Sequence, residues 1–113
     1  MTLEARSSRD VLIQSDVLND AVSFYETVLG LRVTHRSETL VGFETGSFCL
    51  YVEKGPAYGP VFEFYVSDLG IAKKSLIAAG CRIENEDPSV PRCYVRDPFG
   101  LIFNLAERKN EAS

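Results

Sequence analysis

The chain carries the same pattern twice. Gly30-Leu31-Arg32-Val33 in the first half is matched by Gly80-Cys81-Arg82-Ile83 in the second. Ser15-Asp16 stands ahead of the first of these and Ser67-Asp68 ahead of the second. Between them lie apolar residues at helical spacing: Ala21, Phe24, Tyr25, Val28 and Leu29 in one half, Leu69, Ala72, Leu76 and Ala79 in the other. Such spacing puts each set on one face of a helix. A glycine directly after the run stops the helix, because the left-handed position at a helix C-terminus favours a residue without Cβ. Asn19 and Asp20 offer cap chemistry at the start of the first helix, and Asp68 at the start of the second. A repeat at this scale means two copies of one supersecondary unit.

Short apolar runs around the helices read as strands. In the first half these are residues 11–13, 31–36, 40–44 and 48–53, with a hairpin signal at Glu44-Thr45-Gly46-Ser47. Residues 54–60, Lys54-Gly55-Pro56-Ala57-Tyr58-Gly59-Pro60, read as a linker. Strands follow at 61–66, 81–84, 92–96 and 101–105, with a polar loop over 84–91. The expectation is an α+β domain over residues 1–113. It holds two βαβββ modules, about 10–53 and about 61–107, that form a curved mixed sheet around a cavity. Each helix has one apolar face and must cover one face of its own sheet, which leaves the other face free to line a cavity.

Composition narrows the class. With 113 residues, 45% apolar and 25% charged, the chain fits one globular domain. The net charge is −4 and the basic residues are scattered, which argues against nucleic acid and anionic membrane as partners. There is no apolar run of membrane-spanning length and no signal-peptide pattern at Met1-Thr2-Leu3-Glu4-Ala5-Arg6, so a cytoplasmic location is expected. Cys49, Cys81 and Cys93 are odd in number, show no CxxC spacing and lie in or beside apolar runs, which reads as buried reduced thiols. His35, the single histidine, lies in a polar strand and reads as solvated.

Two stretches resemble a known family. Phe24-Tyr25-Glu26-Thr27-Val28-Leu29-Gly30-Leu31 is similar to its FYxxxLGL signature, and Asp97-Pro98-Phe99-Gly100-Leu101-Ile102-Phe103-Asn104-Leu105 to its DPxGxxxEL ending. Val66-Ser67-Asp68-Leu69 resembles the V-x-D-L that opens its second helix. The family is the vicinal oxygen chelate superfamily of glyoxalases, extradiol dioxygenases, epimerases, fosfomycin-modifying thiol transferases and bleomycin-binding resistance proteins. The resemblance runs from about Asp10 to Glu107. Its motifs are structural: apolar helix residues, a helix stop and a turn. Asp97, Pro98 and Gly100 have the chemistry of a hairpin turn in their own right, so Asp97 is not read as a catalytic carboxylate.

The resemblance also implies four metal-ligand positions on the sheet. The first falls at Arg9 or Asp10, the second near Leu50, the third at about Val61 and the fourth at Asn104. A divalent ion needs converging imidazole or carboxylate donors. Leu50 and Val61 have none, and a one-residue slip to Tyr51 or Phe62 does not repair the set. A carboxylate-only alternative would draw on Asp10, Glu44 and Glu63. The expectation is therefore no metal and no cofactor.

Glu63 is the most informative polar residue. It stands in an apolar strand, and alternation puts Val61, Glu63 and Tyr65 on one face and Phe62, Phe64 and Val66 on the other. A carboxylate among aromatics would have a raised pKa and could serve as a base, or could anchor a cationic or hydroxylated ligand. The plain alternative is a Glu at a sheet margin or an interface, bonded to Arg92 or Arg96. Asn104 offers a neutral donor and acceptor at the end of an apolar strand. Tyr51, Phe48 and Tyr94 are candidates for an aromatic lining or for core. Three functions stay open: a small organic ligand bound without metal, including antibiotic sequestration; a lyase, isomerase or dioxygenase with Glu63 as base or a displaced metal site; and a ligand-free interaction module. A homodimer is expected, because the uncovered sheet faces need a partner and chains of this length in the family usually pair modules across subunits. Residues 61–66 and 101–105 are the expected contributors.

Overall fold

The structure, a computed structural model, describes residues 2–87, 89 and 92–108, with the side chain of Arg92 left aside. The chain divides into two compact units, residues 9–61 and residues 62–113 together with 1–8.

In the first unit β2 (Asp10–Ser15) leads into α1 (Leu18–Ser23) and then into β3 (Arg32–Arg36), β4 (Leu40–Glu44) and β5 (Cys49–Lys54). The strand order is β3-β4-β5-β2, followed by the first part of β6 (Tyr58–Val66). β2 and β5 are parallel, with Val11 beside Leu50 and Ile13 beside Val52. The parallel pair is the reason a helical crossover is needed. The core of this unit is Leu18, Val22, Val41, Phe43, Leu50 and Val52, with Ile13, Ala21, Tyr25, Leu31 and Val33 against it. Each of these strands thus turns alternate side chains toward α1.

In the second unit the later part of β6 is followed by α2 (Leu69–Ala78), β7 (Arg82–Asp87), β8 (Arg92–Arg96) and β9 (Ile102–Glu107). The order is β6-β9-β8-β7, with β1 (Arg6–Ser7) paired to β6. Its core is Val66, Ala72, Cys93, Val95, Phe103 and Leu105, with Phe64, Leu69, Leu76 and Ile83 packed on it. Asp68 caps α2 as its sequence suggested: its Oδ1 accepts from the Ile71 N–H at 2.9 Å. Glu107 Oε2 accepts from the Leu69 N–H at 2.9 Å, so a second carboxylate satisfies the next free amide of that helix.

Both units have the order strand, helix, strand, strand, strand, and the class is α+β. The repeat is also visible in hydrogen bonds. Gly55 N donates to Ser15 O after the last strand of the first unit, and Arg108 N donates to Val66 O at the same place in the second.

Several sequence expectations need correction. The first helix does not bury Phe24, Val28 and Leu29; these are 47%, 68% and 55% exposed. Its inward stripe is Leu18, Ala21, Val22 and Tyr25. A regular helix would have continued that stripe through Val28 and Leu29. Instead Phe24–Val28 forms a π-helical turn, with Leu29 N bonded to Phe24 O. The extra residue in that turn rotates Val28 and Leu29 off the face. Asn19 and Asp20 do not cap α1: Val17 holds the N-cap position without a side-chain cap bond. Ala79 lies exposed past the end of α2. The expected linker is partly strand, since β6 starts at Tyr58. The expected loop over 84–91 is β7 as far as Asp87, and its positions 88, 90 and 91 lie outside the described residues. Of the cysteines only Cys93 is fully buried; Cys49 and Cys81 are half-buried, and all three are free thiols. His35 is exposed, as expected. Among the described residues no helix is long and apolar enough to cross a membrane.

Candidate ligand-binding face

The alternation that sends Phe64 and Val66 into the α2 core sends Glu63 and Tyr65 to the opposite face of β6. The same rule applied to β9 puts Phe103 and Leu105 in the core and Asn104 on the far face. Tyr94 is the cross-strand partner of Asn104 on β8 and shares its face. One row therefore runs Glu63, Asn104, Tyr94 across β6, β9 and β8.

Two hydrogen bonds fix the middle of that row. The backbone N–H of Cys93 donates to Asn104 Oδ1 at 3.1 Å, and Asn104 Nδ2 donates to Glu63 Oε2 at 3.0 Å. The first bond decides how the amide is turned, because a backbone N–H can only donate and must face the oxygen. The amide nitrogen is thereby aimed at the carboxylate. Glu63 and Asn104 are both half-buried. Neither Glu63 nor Asn104 makes an ion pair among the described residues.

The expected partner Arg96 is engaged elsewhere: its Nε donates to Glu84 Oε1 at 2.6 Å, and Arg82 approaches the other Glu84 oxygen at 3.5 Å. Glu84 was not a sequence candidate; it fell in the span read as a strand end and loop. Tyr65 is half-buried, with the Arg108 guanidinium 5.3 Å from its ring centroid, a cation–π contact. Tyr94 and Ile102 are buried, at 4% and 9% exposure, although neither belongs to the α2-side cluster.

The remaining candidates lie in the first unit. Tyr51 is on the face of β5 turned away from α1, beside Leu12 and Gly42. Burial pushes its phenol up, helped by the charge of Asp10 and by Cys49. Phe48 is not on a strand. It lies in the turn before β5, 38% exposed, where its backbone is tied to Thr45 Oγ1. Leu50 points into the α1 core, so Tyr51 and not Leu50 is the residue of β5 on the open face.

The same face carries a polar row at its rim, where Asp10, Cys49 and Glu44 are cross-strand neighbours. Arg9 reaches over it, bonding Glu44 Oε2 at 2.8 Å, and Gly46 N donates to the same oxygen at 2.7 Å. The Arg9 guanidinium and then the Gly46 amide hold the Glu44 carboxyl below its ordinary value, and Glu44 in turn raises Arg9. Glu44 is thus committed as an arginine and backbone partner.

These donors do not suit a divalent ion. Asn104 and Glu63 hold one another, Leu50 and Val61 are apolar and buried, and Glu44 is taken by Arg9. Among the described residues no group of three or more His, Cys, Asp or Glu side chains is placed to hold a metal.

No protein-family model matches the sequence, and no curated protein matches it significantly. Solved structures do match. A hypothetical protein from Bacillus halodurans C-125 aligns with a TM-score of 0.66 at 14% identity, over 97% of this chain and 99% of that one. An extradiol ring-cleaving dioxygenase from B. fuscum aligns with a TM-score of 0.63 at 23% identity, over 96% of this chain. The Mn(II)-bound glyoxalase from Novosphingobium aromaticivorans aligns with a TM-score of 0.61 at 17% identity, again over 96% of this chain. This chain spans 34% of that dioxygenase chain and 43% of that glyoxalase chain. The repeated strand–helix–strand–strand–strand order and these likenesses agree: the chain has the fold of that glyoxalase and that extradiol dioxygenase, the fold its two sequence signatures lead one to expect.

Proposed function

We propose that this chain binds a small organic molecule on the open face of its second unit, without a resident metal, as a sequestering protein of the bleomycin-resistance kind. The observation that carries this reading is the Glu63–Asn104 pair. A half-buried carboxylate held by an amide, itself oriented by a backbone N–H, is a preorganised polar contact of the sort that fixes a ligand's orientation. Tyr65, half-buried on the same face, adds an aromatic side chain beside that contact. The polar side chains on the open faces support ligand binding better than metal chemistry, since Glu63 and Asn104 bond one another and Glu44 is held by Arg9.

Native mass spectrometry of the purified protein, with elemental analysis of the same sample, tests the reading. The expected result is a bound or readily captured organic molecule, no stoichiometric divalent ion, and a melting temperature unchanged by chelator, because no ligand set couples metal binding to folding. A stoichiometric divalent ion with a large chelator-induced loss of stability would reject it in favour of a metalloenzyme.

A further inference from the structure

We infer that the ligand of this face is an organic carboxylate, held by Arg6 and Arg108 at the Tyr65 end of the second unit. This deepens the reading of the face as a ligand site and rests on it. Arg6 on β1 is the cross-strand partner of Tyr65 on β6, so both side chains stand on one face. Just past β9, Arg108 brings its guanidinium to 5.3 Å from the centre of the same ring. Its backbone N–H donates to Val66 O, which fixes the point from which it reaches. Two cations thus flank one aromatic residue. Arg9, Arg36, Arg82 and Arg96 each lie against a glutamate, whereas Arg6 and Arg108 make no ion pair among the described residues.

The nearby carboxylates are engaged elsewhere. Glu107, next in sequence to Arg108, accepts from the Leu69 N–H at the start of α2. Glu63 accepts from Asn104 and stands two residues from Tyr65, roughly 6.6 Å along the strand. An anion between two like charges relieves their repulsion and gains two charge-assisted contacts. A guanidinium also presents a planar fork of N–H donors that matches the two oxygens of a carboxylate. In Arg108 that fork is steadied by the Tyr65 ring, a contact that leaves its charge uncompensated. Phe103 and Leu105 point into the core, so Ala106 lies on the face with Asn104. Its small side chain leaves room for the body of the ligand between the arginines and Asn104, with Arg108 still on the ring.

Benzoate, benzyl alcohol and benzylamine share a ring and differ in the head, and inorganic phosphate carries charge without a body. Each is titrated into the full chain while the Nε–H resonances of Arg6 and Arg108 and the side-chain amide of Asn104 are followed by NMR. Benzoate is expected to move the arginine resonances, and the other three to bind more weakly. Arg6→Gln and Arg108→Gln, which remove the charge, are each expected to weaken benzoate binding about 10-fold, the usual effect of losing a hydrogen bond to a charged group. Arg6→Lys, which keeps the charge, should retain part of the binding. Both arginines are exposed, so the variants are expected to keep the parent melting temperature, and a loss of binding is then not a loss of fold. If the alcohol or the amine binds as tightly as benzoate, if both Gln variants bind benzoate unchanged, or if none of the probes binds, the carboxylate assignment is overturned. Phosphate bound as tightly as benzoate would overturn the organic part of it. Native mass spectrometry separates this outcome from failure of the parent reading: a captured neutral or cationic compound leaves small-molecule binding standing and overturns only the carboxylate.

Discussion

Gly42 lies under the ring of Tyr51. The two are cross-strand partners on β4 and β5, and a Cβ built on Gly42 would stand 2.8 Å from Tyr51 Cε1 and 3.3 Å from Thr34 Oγ1. The glycine therefore makes room for the phenol to lie flat on the strand. Its absent side chain is what a tyrosine on the open face needs from its neighbour.

The consequence is a double-mutant test. Gly42→Ala alone should cost about 1–3 kcal/mol, the usual range for overpacking. In a Tyr51→Ala background the same change should cost much less, because the atom it strikes is gone. Urea denaturation of the four proteins gives the coupling energy. A fully additive result would mean that the ring does not lie over Gly42.

The π-helical turn sets up a second test. Leu18 is buried at 8% exposure, whereas Phe24 is half-exposed and meets Tyr25 edge-on at 5.3 Å. Leu18→Ala should cost about 2–5 kcal/mol, as for a buried leucine. Phe24→Ala should cost under about 1 kcal/mol in the monomer, as for a surface position. The reverse order would restore the regular-helix register that the sequence alone suggests.

That register marks where the sequence stops being informative. The repeat, the helix stops at Gly30 and Gly80, the cap at Asp68 and the turn at Asp97 were legible, because each depends on local backbone chemistry. Gly30 and Gly80 have φ of 69° and 100°, and Asp97 Oδ1 accepts from the N–H groups of Phe99 and Leu101. The face of the first helix was not legible. Ala21, Phe24, Tyr25, Val28 and Leu29 form an acceptable stripe, and nothing in them announces a wide turn. The candidate face was legible in its parts: alternation put Glu63 and Tyr65 on one side of their strand, and the closing motif singled out Asn104. Their direct bond was not, since strands distant in sequence meet by topology. Gly42 between Val41 and Phe43 carries a signal of its own, for a glycine inside a strand often marks a close approach, here of the Tyr51 ring.

The third test concerns Glu44 and Arg9 at the rim of the first unit. Both are solvent-accessible, and the effect is one of titration rather than of large stability. The folded-state pKa of Glu44 is depressed, so its contribution is present above the unfolded carboxylate value and is lost as pH falls through the folded value. Carboxyl carbon shifts followed by NMR against pH should show Glu44 titrating below an ordinary glutamate. Arg9→Met should bring it back toward that value, incompletely, because the Gly46 amide still donates to Oε2. A Glu44 that titrates normally in the parent protein would show that the Arg9 contact does not persist in solution.

The last test is of assembly. A homodimer was expected through residues 61–66 and 101–105, but those strands have already spent their apolar side chains within the chain: Val61, Val66, Ile102, Phe103 and Leu105 are buried, which leaves chiefly Phe62 and Leu101 at the surface. The apolar surface left over in the first unit is elsewhere, at Val17, Phe24, Val28 and Leu29, each about half-exposed or more. Val28 and Leu29 join it because the wide turn rolls them outward. Apolar side chains clustered in sequence and exposed together favour association. Sedimentation equilibrium at micromolar protein is therefore expected to show a dimer, and Leu29→Glu is expected to shift it toward monomer without changing the far-ultraviolet circular dichroism. A single species at 12.6 kDa for the parent chain would reject the dimer. A dimer indifferent to Leu29→Glu would place the contact on another surface.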